Sequence, residues 1–145
     1  MVSMFRRLYD KIYWSGCPSS YTIEEAAKEG VSLVVNLTEK GECDYALPPG
    51  VEYINYEIPD FSYAPVEDVY ANVMVPVLEK LKSCEKVLIH CLGGIGRSGT
   101  TIAMLLLVYK NIHPEKALRE VEIRGGAPSR QYSNLHSNGL PAHMG

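Results

Sequence analysis

Several things are scarce in this 145-residue chain, and each scarcity removes a class of function. No apolar run is long enough to cross a bilayer, the stretch Thr101 to Tyr109 being far too short, so no membrane partner is expected. The opening Met1-Val2-Ser3-Met4-Phe5-Arg6-Arg7 has no apolar core of the signal-peptide kind. Neither sign of charge dominates: 14 Lys and Arg against 17 Asp and Glu leave a net −3, with the basic residues scattered. A nucleic-acid groove has no electrostatic footprint here, and no nucleic-acid partner is expected. The cysteines at 17, 43, 84 and 91 and the histidines at 90, 113, 136 and 143 show no CxxC or HExxH spacing, so neither a metal nor another cofactor is expected. Repeats and low-complexity tracts are absent. The linker-like stretch Thr38 to Gly50, with Pro48-Pro49-Gly50, lies between strands of one sheet pattern and reads as a surface loop, so residues 1–145 are expected to form one domain.

What the chain does have is His90-Cys91-Leu92-Gly93-Gly94-Ile95-Gly96-Arg97-Ser98. A loop that curls until successive backbone N–H groups point inward needs residues tolerating φ > 0, which Gly93, Gly94 and Gly96 would supply. Arg97 closes the ring with a planar, two-pronged donor suited to a phosphate. The inward amides, the positive end of a following helix and Arg97 together favour thiolate over thiol at Cys91. Residues 90–97 thus read as a phosphate trap with a nucleophile at its centre.

The flanking residues suit that reading. Lys86 to His90 has the apolar, β-branched character of a buried strand, and the run after Ser98 is apolar enough for a core helix. The coarse pattern is α/β, with strands near 12–15, 31–37, 51–57 and 86–90 and helices near 22–29, 66–83, 98–111 and 114–124. Thr22-Ile23-Glu24-Glu25 has the form of a capping box opening the first helix, and His113-Pro114 puts proline at a first helical position. Val66, Val69, Tyr70, Val73, Val77 and Leu81 form a helical apolar stripe. Pro76 within it predicts a kink or a shorter helix.

A second chemical group lies upstream. An alkoxide or phenolate leaving phosphorus benefits from a proton, and a positioned carboxylic acid contributes roughly 10²–10⁴-fold. Asp60 in Ile58-Pro59-Asp60-Phe61 is the candidate donor, with Glu57 as its competitor. Pro59-Asp60 and Pro65 would also serve simply to punctuate a loop.

His-Cys-x5-Arg-Ser-Gly resembles the signature of the cysteine-dependent protein tyrosine phosphatase superfamily. Ile58-Pro59-Asp60-Phe61 resembles its mobile acid loop, with isoleucine where tryptophan usually stands. Ile12-Tyr13-Trp14-Ser15-Gly16 and Val34-Val35-Asn36-Leu37-Thr38 resemble the opening strands of compact dual-specificity-like and archaeal members. The resemblance implies a single-domain phosphatase fold: a central mixed, mostly parallel sheet flanked by helices, with the Cys-x5-Arg loop between a core strand and a core helix. It implies a metal-independent phosphomonoesterase working through a phosphocysteine. Cys91 would be the nucleophile and Asp60 the acid, then the base. Leu92, Gly93, Gly94, Ile95, Gly96 and Arg97 would cradle the phosphate, while Ser98 would stabilise the departing thiolate, a residue type that also suits a helix N-cap. His90 would orient the loop. Gln131, a residue or two out of register, is the nearest counterpart of a water-positioning glutamine.

In that family, members acting on inositol phosphates or RNA ends often carry basic residues between Cys and Arg. The apolar Leu92 and Ile95 here favour singly phosphorylated side chains, phosphotyrosine first, with Phe61, Tyr63 or Tyr132 as candidate ring walls and phosphoserine and phosphothreonine as further substrates. The expected partners are phosphorylated proteins and free oxyanions, and the chain is expected to act as a monomer. A nucleophilic thiolate needs a reducing compartment, so a cytoplasmic protein is expected, with cysteines 17 and 84 as spare buried thiols. Two rival readings are an inactive phosphopeptide-binding module and another oxyanion-handling cysteine enzyme, such as an arsenate reductase. Retention of Cys91, Asp60 and Arg97 argues against the first, and Asp60 would have no obvious use in the second.

Overall fold

A computed structural model of the chain describes residues 11–59, 62 and 64–128, with the backbone of residues 6–8. Its strands are β1 (Arg6–Leu8), β2 (Ile12–Ser15), β3 (Val31–Asn36), β4 (Glu52–Asn55) and β5 (Lys86–His90). The helices are α1 (Ser20–Lys28), α2 (Val66–Val69), α3 (Val75–Lys82), α4 (Arg97–Tyr109) and α5 (Pro114–Ile123). The sheet runs β1-β2-β5-β3-β4, parallel throughout except for β1, which pairs antiparallel with β2. This is the mixed, mostly parallel α/β fold that the sequence implies, with β1 as an addition.

The placement of the helices follows from crossover handedness. The connection β2-α1-β3 passes over β5 in one direction, whereas β4 returns to β5 through α2 and α3 in the other, and right-handed crossovers of opposite direction put their helices on opposite faces. The side chains divide accordingly. Tyr13, Val34 and Leu88 pack with Ile23 and Ala26 of α1. Their neighbours Ile12, Trp14, Leu33, Val35, Val87 and Ile89 pack on the other face, with α3, α4 and α5. This is period-2 alternation in strands buried on both faces.

Two local expectations change, and the one at Pro76 holds. The first helix opens at Ser20 rather than Thr22, because the Ser19 side chain accepts from the Thr22 amide at 3.1 Å and is the N-cap. The helix bearing Pro76 is shorter than the apolar stripe, as expected, because α3 opens only at Val75. A π turn over Tyr70–Met74 joins α2 to α3, closed by the Val75 amide on the Tyr70 carbonyl, and so absorbs the donor that proline lacks. Cys17 and Cys43 are joined in a disulfide with Cα atoms 5.8 Å apart, so Cys17 is not a spare thiol, and Cys84 is exposed rather than buried. His113 does place Pro114 at the start of α5, its Nδ1 accepting from the Glu115 amide at 3.2 Å.

The strand ends set up the site. Ser15 and Asn36 both lie level with His90 in the register, so the chain leaves β2, β3 and β5 at one height. Loops at the carboxyl ends of parallel strands converge there, where ligands of open α/β sheets bind. For the fold, Ser19→Ala is expected to lower stability by about 1 kcal/mol through loss of the α1 cap, read as a lower urea midpoint at unchanged slope; an unchanged midpoint would return the helix start to Thr22.

Candidate active site

Cys91 follows β5 directly and is 2% exposed. The loop after it is held by its carbonyls. The Leu92 carbonyl accepts from the Cys17 amide at 2.8 Å, that of Gly94 from Trp14 Nε1 at 2.9 Å, and that of Ile95 from the Ala127 amide at 3.0 Å. The Thr100 amide takes the Gly96 carbonyl at 2.9 Å, and His90 Nδ1 stands 3.1 Å from that of Cys91. A trans peptide points its N–H opposite to its C=O. Turning these carbonyls outward therefore turns the amides of Leu92, Gly93, Ile95, Gly96 and Arg97 the other way, as an anion cradle requires.

Of the three loop glycines, only Gly94 has a positive φ, at 71°. The expectation that Gly93 and Gly96 also supply φ > 0 is thereby corrected. Gly94 is needed twice over, because a Cβ there would come within 2.6 Å of the Gly16 amide nitrogen.

Arg97 begins α4 and is 3% exposed. Its Nη1 donates to Glu42 Oε1 at 3.0 Å and to the Ile58 carbonyl at 2.9 Å, and its Nη2 donates to Glu42 Oε2 at 2.7 Å. A bidentate carboxylate fixes the plane of the guanidinium from one side. The hydrogen bonds from Arg97 in turn hold the Glu42 carboxyl down at about 2. Ser98 Oγ lies 3.3 Å from Cys91 Sγ. The N-cap position belongs to Gly96, without a side-chain cap, so Ser98 faces the sulfur instead of capping.

His90 is fully buried, and that burial lowers its pKa to about 4. A neutral ring beside a carbonyl carries its hydrogen on Nδ1, which leaves Nε2 to accept from the Tyr45 hydroxyl at 2.5 Å. Burial also pushes the Tyr45 phenol well above its ordinary range, which keeps it a donor.

Asp60, Phe61, Tyr63, Gln131 and Tyr132 lie outside the described residues. Glu57, the competitor for the acid, is exposed and accepts from the Lys40 amide at 3.0 Å. The sequence reading missed Glu42, Tyr45, Trp14 and Cys17, all of which hold the loop from other segments. Only Trp14, a lone tryptophan on a strand beside the loop's own strand, left a usable signal. Among the described residues there is no group of three or more His, Cys, Asp or Glu side chains suited to a metal, and no helix long and apolar enough to cross a membrane.

A Cys-x5-Arg loop at the carboxyl edge of this mixed sheet is the arrangement of a phosphatase domain of the dual-specificity and tyrosine phosphatase kind. The comparisons agree. Residues 13–136 match the family PTP-SAK, described as "Swiss Army Knife protein, DSP-PTPase phosphatase domain". The crystal structure of Tk-PTP in the active form superposes with a TM-score of 0.78 at 32% identity, over 90% of this chain and 91% of that one. A protein of Invertebrate iridescent virus 6 named "Putative tyrosine phosphatase 197R" is 34% identical over 132 residues, 87% of this chain and 50% of the relative. Cyclin-dependent kinase inhibitor 3 of Mus musculus is 30% identical over 126 residues, 78% of this chain and 59% of its own. The chain thus belongs to the dual-specificity and tyrosine phosphatase superfamily, in its PTP-SAK group. It spans 50 to 59% of the length of these curated relatives.

The His90 pKa carries a stability prediction. Its folded value is below the unfolded 6.5, so between these values the unfolded chain binds more protons and acid favours unfolding. Between pH 7 and pH 5, a window above the Glu42 transition, stability is expected to fall by about 2 kcal/mol from this group. Urea midpoints at the two pH values measure it, and a fall equally large in His90→Asn would remove His90 as the cause.

Proposed function

We propose that this chain is a metal-independent protein phosphatase that hydrolyses phosphotyrosine, with phosphoserine and phosphothreonine as further substrates, through a phosphocysteine on Cys91. One observation carries the reading: the carbonyls of Cys91, Leu92, Gly94, Ile95 and Gly96 are drawn onto other groups, with Ser98 Oγ 3.3 Å from the Cys91 sulfur and the Arg97 guanidinium fixed by Glu42.

In the first step the Cys91 thiolate attacks phosphorus in line with the leaving oxygen. The S–P bond forms, the P–O bond breaks, and Asp60 gives the leaving oxygen its proton. The loop amides and Arg97 meet the charge on the transferring oxygens, and the N-terminus of α4 adds its dipole. In the second step water attacks the phosphocysteine, Asp60 takes its proton, and the sulfur leaves as a thiolate hydrogen-bonded by Ser98. Gln131 is the residue assigned to orient that water.

Support for Asp60 comes from its neighbour. The Ile58 carbonyl rests on Arg97, and two residues of chain span at most about 7 Å. The apolar side chains of Leu92 and Ile95, 45% and 48% exposed beside the loop, suit a single phosphate on an aromatic ring better than a polyanion. The name of the viral relative points the same way. A single catalytic domain, monomeric and cytoplasmic, is the setting we assign.

The test is steady-state hydrolysis of aryl phosphates and a phosphotyrosyl peptide in a chelator. The wild type is expected to turn over fully without metal, and Cys91→Ser to lose all turnover while still binding phosphate. Loss of wild-type activity in chelator, or an active Cys91→Ser protein, would overturn the mechanism. Asp60→Ala is expected to slow the peptide roughly 10²–10⁴-fold and a good leaving group such as nitrophenolate much less. Equal slowing of both substrates would take the acid role from Asp60.

A further inference from the structure

Two loops grip the phosphate loop, and one covalent bond joins them. The turn after β2 holds it through the Cys17 amide on the Leu92 carbonyl, and packs so tightly that a Cβ at Gly16 would come within 2.8 Å of that same carbonyl oxygen. The loop after β3 holds it through Glu42 on Arg97 and Tyr45 on His90. Cys43, the residue next to Glu42, is disulfide-bonded to Cys17, 26 positions away in the chain.

The bond sits where its state bears on Arg97. Cys43 is 5% exposed and its carbonyl accepts from Asn36 Nδ2 at 3.2 Å, so the disulfide and this hydrogen bond together hold the Glu42 segment against the sheet edge. Glu42 is a half-buried carboxylate that reaches a buried arginine from a segment of little regular structure. Cys17 is exposed, so an external thiol can reach one sulfur of the pair.

We propose that Cys17–Cys43 is a redox modification site that sets how firmly Glu42 holds Arg97, and through it the affinity of the loop for phosphate. The oxidised pair ties the Glu42 segment to the turn that holds Leu92, so the guanidinium and the amide cradle are positioned as one body. This rests on the phosphate-binding reading of Arg97 above.

The exchange needs a dithiol reductant of the thioredoxin or dithiothreitol class. Its thiolate attacks Cys17 Sγ, the S–S bond breaks, and Cys43 leaves as a thiolate and takes a proton. The reductant's second thiol then attacks its own sulfur in the mixed disulfide, releasing Cys17 as a thiol. The protein gains two electrons and two protons, and the reductant becomes a disulfide.

The experiment measures binding of inorganic phosphate by calorimetry, which needs no turnover. It is run on the whole chain with the Cys17–Cys43 bond intact and after dithiol treatment, the bond's state being verified by alkylation and mass spectrometry. Reduction is expected to weaken phosphate binding about fivefold by loss of preorganisation, and the Cys17→Ser/Cys43→Ser double variant to match the reduced wild type. In Glu42→Gln, reduction is expected to change phosphate affinity little, because the link it acts through is gone. Equal affinity in both redox states, even with a lower melting temperature on reduction, would make the bond purely structural and overturn the inference. So would an undiminished redox effect in Glu42→Gln. Absence of phosphate binding in either state would instead bring down the phosphate-loop reading, and this inference with it.

Discussion

A planar peptide cannot turn its carbonyl outward without turning the next amide inward, and the chemistry of this protein depends on that constraint being applied to peptide after peptide along one loop. The donors that do it come from five places: the His90 ring, the Cys17 amide, the Trp14 indole, the Ala127 amide and the first turn of α4. None of them belongs to residues 91–96, so the cradle is a property of the whole sheet edge. The cost of curling the chain is concentrated at Gly94, where left-handed backbone and close contact with Gly16 coincide.

The same edge must hold a guanidinium almost out of water. A buried arginine without a counter-charge is expensive, and losing one partner of such a pair typically costs about 3–5 kcal/mol. Glu42 meets that need and does something further, since its two oxygens define the guanidinium plane while the Ile58 carbonyl fixes it from a third direction. Stability and positioning are therefore met by the same contacts. Because the Glu42 carboxyl is held at about 2, the pair stays ionised across the neutral and mildly acidic range.

How much of this was legible in the sequence depended on sequence distance. The β5-loop-α4 unit could be read because strand, glycine-rich loop, arginine and apolar helix follow one another within 24 residues, from Lys86 to Tyr109. The strands and helices that carry a clean period came out within a few residues. β1 did not, being three residues long and arginine-rich. The start of α1 was misplaced because Ser19 and Thr22 both look like caps, and only the geometry shows which oxygen reaches an amide. Glu42 left no signal, for its role exists only through a contact 55 residues away, from a loop that composition describes merely as a linker. The Cys17–Cys43 bond was hidden for the same reason and also by a compartment argument, since a nucleophilic thiol at Cys91 led the reading to treat the other cysteines as thiols too.

That last conflict has a physical resolution within the fold. Cys91 and Cys43 are both buried, but the Cys91 sulfur faces the Ser98 hydroxyl inside the loop, whereas Cys43 lies beside the exposed Cys17 at the loop's outer support. The register that brings Ser15, Asn36 and His90 to one height puts the turn after β2 and the loop after β3 on either side of β5, within disulfide reach of each other. The convergence that builds the proposed phosphate site at the carboxyl edge of a parallel sheet is thus also what brings these two cysteines together. A covalent link there joins the two segments that hold Leu92 and Arg97 without occupying the Cys91 sulfur, so under the proposed mechanism the reducing environment that keeps Cys91 usable is also the one in which the link is open to exchange.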